Sequence, residues 1–218
     1  MQRTMTFVSK IVILTTYFTM LSSAVCQEWQ LEKTKDAVQV YSRDNSNQQN
    51  STVYKEILAI TTVKASPSAL LNLLNDIERA PRWIDNCNKV VLLSDQDDKY
   101  KLVQSTFSAP WPLNNRDMLT KSITTIQDQQ IIIDIMDAGK TLPLQKDTVR
   151  MTDIQGQWTI KPKDEGNIEI RYQGSGNPAG NIPMWLANKV LIDSTFNTFI
   201  KLSRLVTEDR YQHAQITH

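Results

Sequence analysis

Hydrophobic and polar residues alternate along much of the chain, and this alternation predicts a protein built mainly from β-strands. The first strands are expected at 29–41 and 53–63, the second being rich in β-branched residues. Ser66 and Pro67 then predict the start of a helix with an apolar face, because serine caps helices and proline suits their first turn. Further strands are predicted at Val90–Leu93, Tyr100–Phe107, Asp117–Ile126, Gln130–Met136, Thr148–Ile160 and Asn167–Gln173.

The longest helical pattern runs from about Ile182 to Val206, with Pro183 in its first turn and an unusually wide apolar arc. Strands grouped ahead of one helix favour an α+β fold over alternating βαβ units. A curved antiparallel sheet wrapped around the long C-terminal helix is the simplest way to bury that helix. If the sheet curves enough, an elongated apolar cavity remains between the two.

Residues 1–26 differ from the rest and predict a secretory signal peptide. Arg3 and Lys10 supply positive charge, an apolar run covers 11–21, and small residues follow. The apolar run is shorter than the roughly 17–25 residues of a membrane-spanning helix, although an uncleaved anchor is the competing interpretation. Cleavage is expected before Val25 or before Gln27. The mature protein is therefore expected to be periplasmic or secreted.

Length and composition favour one domain, at 27–207, followed by a polar tail at 208–218, in a chain of 218 residues. Removing Arg3 and Lys10 with the signal peptide changes the tally from 24 basic and 23 acidic residues to 22 and 23. Such a balance argues against nucleic-acid binding. His213 and His218, the only histidines, both lie in the tail, which argues against Ser/His or Cys/His catalysis and against zinc. Cys87 is expected to be a small, partly buried hydrophobe.

Four motifs together resemble the START (steroidogenic-acute-regulatory-related lipid-transfer) domain family. They are Trp83–Cys87, Ala109–Asp117, Gly156–Trp158 and Asn181–Asn188, in the order and spacing of that family. The resemblance runs from about Trp29 to Val206 and is greatest to bacterial single-domain members that carry signal peptides. It implies a helix-grip fold, a lipid or sterol held inside, and no cofactor.

The motif at 109–117 also has a physical interpretation of its own. Two prolines fix the backbone around Trp111, which is expected either to pack as a rigid corner or to line the ligand cavity. Arg116 and Asp117 are adjacent in a strand, so their side chains point to opposite faces. One of them is expected inside, with Arg150, Asp134 or Asp153 as candidate partners or with a ligand head group.

The remaining candidate contacts for a hydrophobic ligand are aromatic residues and methionines that offer apolar surface. Phe196 and Phe199 on the last helix are the strongest candidates for the cavity wall, since that helix covers the sheet. The full set of predicted ligand-binding residues is Trp111, Arg116, Asp117, Met136, Arg150, Trp158, Trp185, Phe196 and Phe199. The segment 137–144 is expected to be either a gate at the cavity mouth or an ordinary long loop.

The favoured function is non-catalytic binding of a lipid or sterol-like ligand, for transfer or sensing, by a monomer that makes transient contact with a membrane. An enzyme of the same superfamily, cyclase-like or hydrolase-like, is the alternative. In that case Asp117 or Tyr172 would act as general acid or base if burial shifts its pKa. A third interpretation is a protein-binding module whose interior is filled by side chains.

Overall fold

The computed structural model describes residues 28–45, 54–96, 100–109, 111–144 and 146–212. The predicted signal peptide and both histidines lie outside the described residues. Within these ranges, no helix combines the length and the apolar character needed to cross a bilayer. The strands are β1 (Gln30–Lys35), β2 (Val38–Asp44), β3 (Lys55–Lys64), β4 (Cys87–Gln96), β5 (Tyr100–Phe107), β6 (Asn115–Gln127), β7 (Gln130–Asp137), β8 (Thr148–Arg150), β9 (Thr152–Pro162) and β10 (Asn167–Asn177). The helices are α1 (Pro67–Asn75), α2 (Ala80–Trp83), α3 (Met184–Leu205) and α4 (Asp209–Gln212).

All the strands belong to one sheet, in the order β1-β2-β3-β10-β9-β7-β6-β5-β4, with β8 beside the start of β6. Neighbouring strands along this path are antiparallel, and only β8 runs parallel to its partner. The predicted α+β fold, a curved antiparallel sheet with a long C-terminal helix, is confirmed. Strand β3 pairs with β10, so the first strands join the sheet beside the last one.

Two segments predicted as single strands are each two strands. The first breaks between β1 and β2 at a turn where Asp36 has a φ of 53°, a left-handed conformation that Asp adopts more readily than most residues. The second breaks at Met151, because β8 pairs with β6 whereas β9 pairs with β7. Alternating polarity is the same on either side of such breaks, and the prediction therefore missed them.

The helix termini follow the predicted chemistry closely. The hydroxyl of Ser66 accepts a hydrogen bond from the Ala69 amide at 3.1 Å, and Pro67 opens α1. Helix α3 begins at Met184, two residues later than predicted, because Pro183 has extended backbone angles and precedes the helix. Cys87, predicted to be partly buried, is buried, and burial raises the pKa of its thiol.

The hydrophobic core lies between one face of the sheet and the helices, with α3 packed mainly against β2 and β3. Its most deeply buried large side chains include Val40, Ile57, Ile160, Ile170, Phe199 and Leu202. Burying a side chain of this size contributes about 1.5–3 kcal/mol to folding. At the C-terminal end of α3, helices α1 and α4 seal this core. There, Asn72 Nδ2 donates to the Tyr211 carbonyl at 2.9 Å and Tyr211 Oη donates to Asp76 at 2.8 Å.

Candidate functional site

The face of the sheet that meets α3, here called the inner face, can be traced from strand to strand by the register. Ile133 of β7 pairs with Trp158 of β9, and both belong to the core that contains Phe199. The next inward residue of β7, Ile135, pairs with Ser122 of β6. Because side chains alternate along a strand, Thr120, Met118 and Arg116 of β6 also lie on the inner face. Asp117 lies on the opposite, outer face.

Aromatic residues cover the centre of the inner face beneath α3. The rings of Trp158 and Phe199 stack with centroids 5.7 Å apart and planes at 8°, and Trp158 also lies 4.7 Å from the ring of Tyr172. Phe196 lies nearer the surface, with Lys33 Nζ 5.4 Å from its ring centroid. The structure therefore brings together two of the predicted residues, Trp158 and Phe199, and places Phe196 at the margin.

A pair of glycines gives this surface its shape. Gly156 and Gly174 face each other across β9 and β10, and the phenol of Tyr172 lies flat over both. A Cβ atom would stand 2.6 Å from the Tyr172 hydroxyl at Gly174 and 3.0 Å at Gly156. Burial raises the pKa of Tyr172 to about 12. Its hydroxyl has no hydrogen-bond partner in the part of the chain that the structure describes.

On the outer face, the predicted candidates Asp117 and Arg150 form a buried ion pair. Arg150 Nη2 lies 2.6 Å from Asp117 Oδ2, and Gln104 Nε2 donates to the same oxygen at 2.9 Å. Arg150 also donates to the carbonyls of Gly139, Leu142 and Pro143, at 2.8, 3.1 and 3.3 Å.

Burial opposes ionisation of Asp117, but the hydrogen bonds from Arg150 and Gln104 outweigh it and hold the pKa of the carboxyl below its ordinary value. The pair fastens the 138–144 segment to the outer face. Asp117 and Arg150 therefore face away from the inner face, and their predicted contact with a ligand stays a prediction. Met136 also points to the outer face and is 40% exposed.

Arg116 is the charged residue on the inner face of β6, and its side chain is only 7% exposed. One of its terminal nitrogens, Nη1, donates to the carbonyl of Asn114. Its Nε is buried without a hydrogen-bond partner. The other terminal nitrogen lies close to the β10–α3 connection, 3.8 Å from where a Cβ atom of Gly180 would stand. The prediction that Arg116 and Asp117 point to opposite faces is confirmed.

Three segments contact Arg116 or Arg150 of the neighbouring β8 and together are here called the loop end: 111–114, 138–144 and 178–183. Apolar side chains project from it or from the adjoining first turn of α3. Trp111 is 93% exposed, Leu144 72% and Trp185 69%, with Met184 beside them. Trp111 therefore neither packs in the core nor lines an enclosed wall, and Trp185 is likewise at the surface. The position of a tryptophan in the sequence does not indicate whether its side chain packs inside the fold or projects into solvent.

Sequence reasoning missed Gly174 and Gln104. A signal for the first exists, because Gly156-Gln157-Trp158 on β9 faces Tyr172-Gln173-Gly174 on β10 as a mirrored glycine and aromatic pattern. Nothing in the sequence marks Gln104 as the second partner of Asp117. Among the described residues, no group of three His, Cys, Asp or Glu side chains is placed to hold a metal ion.

The family model described as polyketide cyclase/dehydrase and lipid transport matches residues 63–199, more than half of the 218 residues. The chain belongs to this family. A STAR-related lipid transfer protein from Xanthomonas axonopodis has a structure with a TM-score of 0.74 and 28% identity. The match covers 83% of this chain and 99% of that one. Human STARD10 shares the fold at a TM-score of 0.71 and 21% identity, with 85% of this chain and 76% of that one covered.

Two related sequences extend the comparison. An uncharacterised protein from Pseudomonas aeruginosa is 31% identical over 194 residues, which cover 88% of this chain and 93% of that protein. Mouse START domain-containing protein 10 is 25% identical over 162 residues, which cover 74% of this chain but only 55% of the mouse protein. The START resemblance and the helix-grip fold predicted from the four motifs are confirmed.

Proposed function

We propose that the protein binds a lipid or similar long apolar ligand between the inner face and α3, and releases it chemically unchanged. The observation that carries this proposal is the position of α3, which packs mainly against β2 and β3. The inner face of β5, β6 and β7 extends beyond the helix. Apolar side chains there, among them Val103, Met118 and Ile135, are only partly buried. An acyl chain laid against them would gain about 0.8 kcal/mol for each buried CH₂ group.

The aromatic surface supports the same proposal. Gly156 and Gly174 let the ring of Tyr172 lie flat, so the sheet presents a smooth surface beside the Trp158–Phe199 stack. An apolar pocket with few polar groups is typical of small-molecule sites. The unpartnered hydroxyl of Tyr172 is a polar group that such a ligand could meet.

Binding without chemistry is better supported than catalysis. Asp117, one candidate for acid–base catalysis, faces away from the inner face and is held ionised by Arg150. Tyr172 does lie on the inner face, but with a pKa raised to about 12 by burial it keeps its proton at neutral pH, which disfavours a role as general base. The name of the Xanthomonas relative, a lipid transfer protein, agrees with a carrier, whereas the family description also includes cyclases.

The loop end is proposed to touch a membrane when the ligand enters or leaves. Trp111, Leu144 and Trp185 are each more than two-thirds exposed, and tryptophan favours the boundary between lipid head groups and water. The proposed setting is the cell envelope, since residues 1–26 have the pattern of a signal peptide. The carrier is proposed to act as a monomer.

The experiment that tests ligand binding uses two matched methionine substitutions on neighbouring strands. Met118→Trp adds bulk on the inner face, and Met136→Trp adds the same bulk on the outer face. We expect native mass spectrometry of the wild type to show a co-purified lipid of constant mass. Met118→Trp should lose most of that lipid, and Met136→Trp should keep it.

Solvent extraction then identifies the lipid before and after incubation with the protein. An unchanged ligand supports a carrier, and a new product would support the enzyme. A wild type that holds no lipid and takes up no fluorescent acyl chain would contradict the proposal. Equal lipid content in both variants would place the ligand elsewhere.

A further inference from the structure

Two buried arginines stand at the loop end, and their surroundings are opposite. Arg150, on the outer face, bonds to both oxygens of Asp117 and to three backbone carbonyls. Arg116, on the inner face, is equally buried at 7% exposure but has no carboxylate within ion-pair distance among the described residues. Burying a charge without a counter-charge is costly. A buried positive charge without a counter-charge is therefore a candidate partner for a negatively charged ligand.

The hydrogen bonds of Arg116 show which part of its guanidinium is available. Nη1 donates to the Asn114 carbonyl, which orients the group. Neither Nε nor Nη2 has a hydrogen-bond partner among the residues that the structure describes. Nε and Nη2 share one edge of the planar guanidinium, the edge that donates two parallel hydrogen bonds to the two oxygens of a carboxylate or phosphate. The available edge therefore matches an oxyanion in shape and in charge.

The position of this edge connects it to the apolar surface. Arg116 precedes Met118 and Thr120 on the inner face of β6 and lies at the start of that strand, which is the part nearest the loop end. The guanidinium lies beside Val149, under the β10–α3 connection at Gly180. An anion bound there would lie at the loop end, and an acyl chain attached to it would extend past Met118 along the inner face.

We propose that Arg116 binds the anionic head group of the ligand, a carboxylate or phosphate on a long acyl chain, and so selects acidic lipids over neutral ones. This inference rests on the proposed function, since the acyl chain would occupy the apolar surface described above. Charge-assisted hydrogen bonds to a buried arginine are worth enough to change affinity by about 10- to 100-fold.

The test compares ligands that share a chain and differ only in charge. Delipidated full-length protein is titrated with oleate and with oleyl alcohol, and in a second arm with lysophosphatidate and monoacylglycerol. We expect the wild type to bind the acid at least about tenfold more tightly than its neutral counterpart in one of the arms. The arm with the larger ratio identifies carboxylate or phosphate as the head group.

Arg116→Met is expected to bring the affinity for the acid down to that for the neutral ligand while leaving neutral binding unchanged. Arg116→Lys keeps the charge but not the paired donors, so it should retain only part of the preference. Arg171→Met is the matched control, because Arg171 lies on the outer face of β10 opposite Ile60 and Thr159. It should bind as the wild type does.

The outcomes separate this inference from the proposed function. A wild type that binds acid and neutral ligands equally, or an Arg116→Met variant that keeps the preference, would overturn the role of Arg116 and leave lipid binding intact. Binding of none of the four ligands would contradict the proposed function itself. Unfolding curves of each variant show whether a lost preference reflects a lost fold.

Discussion

The two ends of α3 differ in how completely they are covered. At the C-terminal end, Leu202 and Val206 are fully buried, and α1 and α4 close over them. Gln212 adds to that closure, since its Oε1 accepts a hydrogen bond from the Ser66 amide at 3.2 Å. At the N-terminal end, Met184 and Trp185 are exposed beside the loop end. One helix thus spans a sealed region and an open one.

Because the two ends of α3 are covered differently, the region that stabilises the fold is separate from the region through which a ligand could enter. Segments with few buried apolar contacts open locally at low cost, while a fully packed region opens only with the whole fold. A carrier needs both properties, because its ligand must enter without unfolding the protein. Under the proposed function, the sealed end contributes stability and the loop end is where the ligand is exchanged.

The largest effect is expected from removing the strongest interaction at the loop end. Arg150→Met leaves the buried Asp117 carboxylate without its positively charged partner and frees three carbonyls of the 138–144 segment. We expect the free energy of unfolding to fall by about 3–5 kcal/mol, measured by urea denaturation at neutral pH. Arg116→Met is the control at the same end, and removing its unpaired charge should not lower stability.

The ion pair also gives this prediction a pH dependence. The folded-state pKa of Asp117 is depressed, so the pair contributes its full stability above the ordinary carboxyl pKa of about 3.9 and loses it as the pH falls through the folded value. The difference in the free energy of unfolding between wild type and Arg150→Met should therefore become smaller at acidic pH. If this difference stayed constant down to pH 2, the ion pair with Asp117 would not be the source of the stability that Arg150 provides.

An intermediate effect is expected from two aromatic residues on the same helix. Phe199→Leu removes the stack on Trp158 in the packed core and should cost about 1–3 kcal/mol. Trp185→Leu, at the exposed end, should change stability by less than about 0.5 kcal/mol. It should instead slow lipid delivery to vesicles, measured with a fluorescent acyl chain. If Trp185→Leu alters stability and leaves delivery unchanged, the proposed membrane contact is wrong.

The smallest effect is expected at the sealed end. Tyr211→Phe removes the hydrogen bond to Asp76 and should cost about 1 kcal/mol at neutral pH. Burial, followed by the bond to Asp76, raises the pKa of Tyr211 to about 12. Protonated Tyr211 therefore contributes its full stability below the ordinary tyrosine pKa of about 10, and this stability is lost as the pH rises toward 12. Wild-type stability should thus fall more steeply than that of Tyr211→Phe across this window, in which Tyr172 also titrates.

The sequence allowed the fold to be predicted better than the site. Alternation located β5 with its observed bounds, and the Ser66 cap was correct, because both depend on neighbouring residues. The side chains of β6 were less predictable. Arg116 and Asp117 could be assigned to opposite faces, but which face was inner depends on pairing with β7 and on the path of β8. The exposure of Trp111 depends on how the loops pack in the folded protein, and the local sequence pattern does not predict that packing.

The pairing of β3 with β10 has a consequence for the order in which the chain folds. Tyr172 lies opposite Ala59, more than a hundred residues away in sequence. Strands β1, β2 and β3 pair with one another, but the other edge of β3 therefore stays unpaired until residues 167–177 have been synthesised. Contacts of such long range slow folding, and an unpaired strand edge invites association with other chains. We therefore expect a nascent chain truncated before β10 to be prone to aggregation, and the final docking of β10 and α3 to commit the chain to its native state.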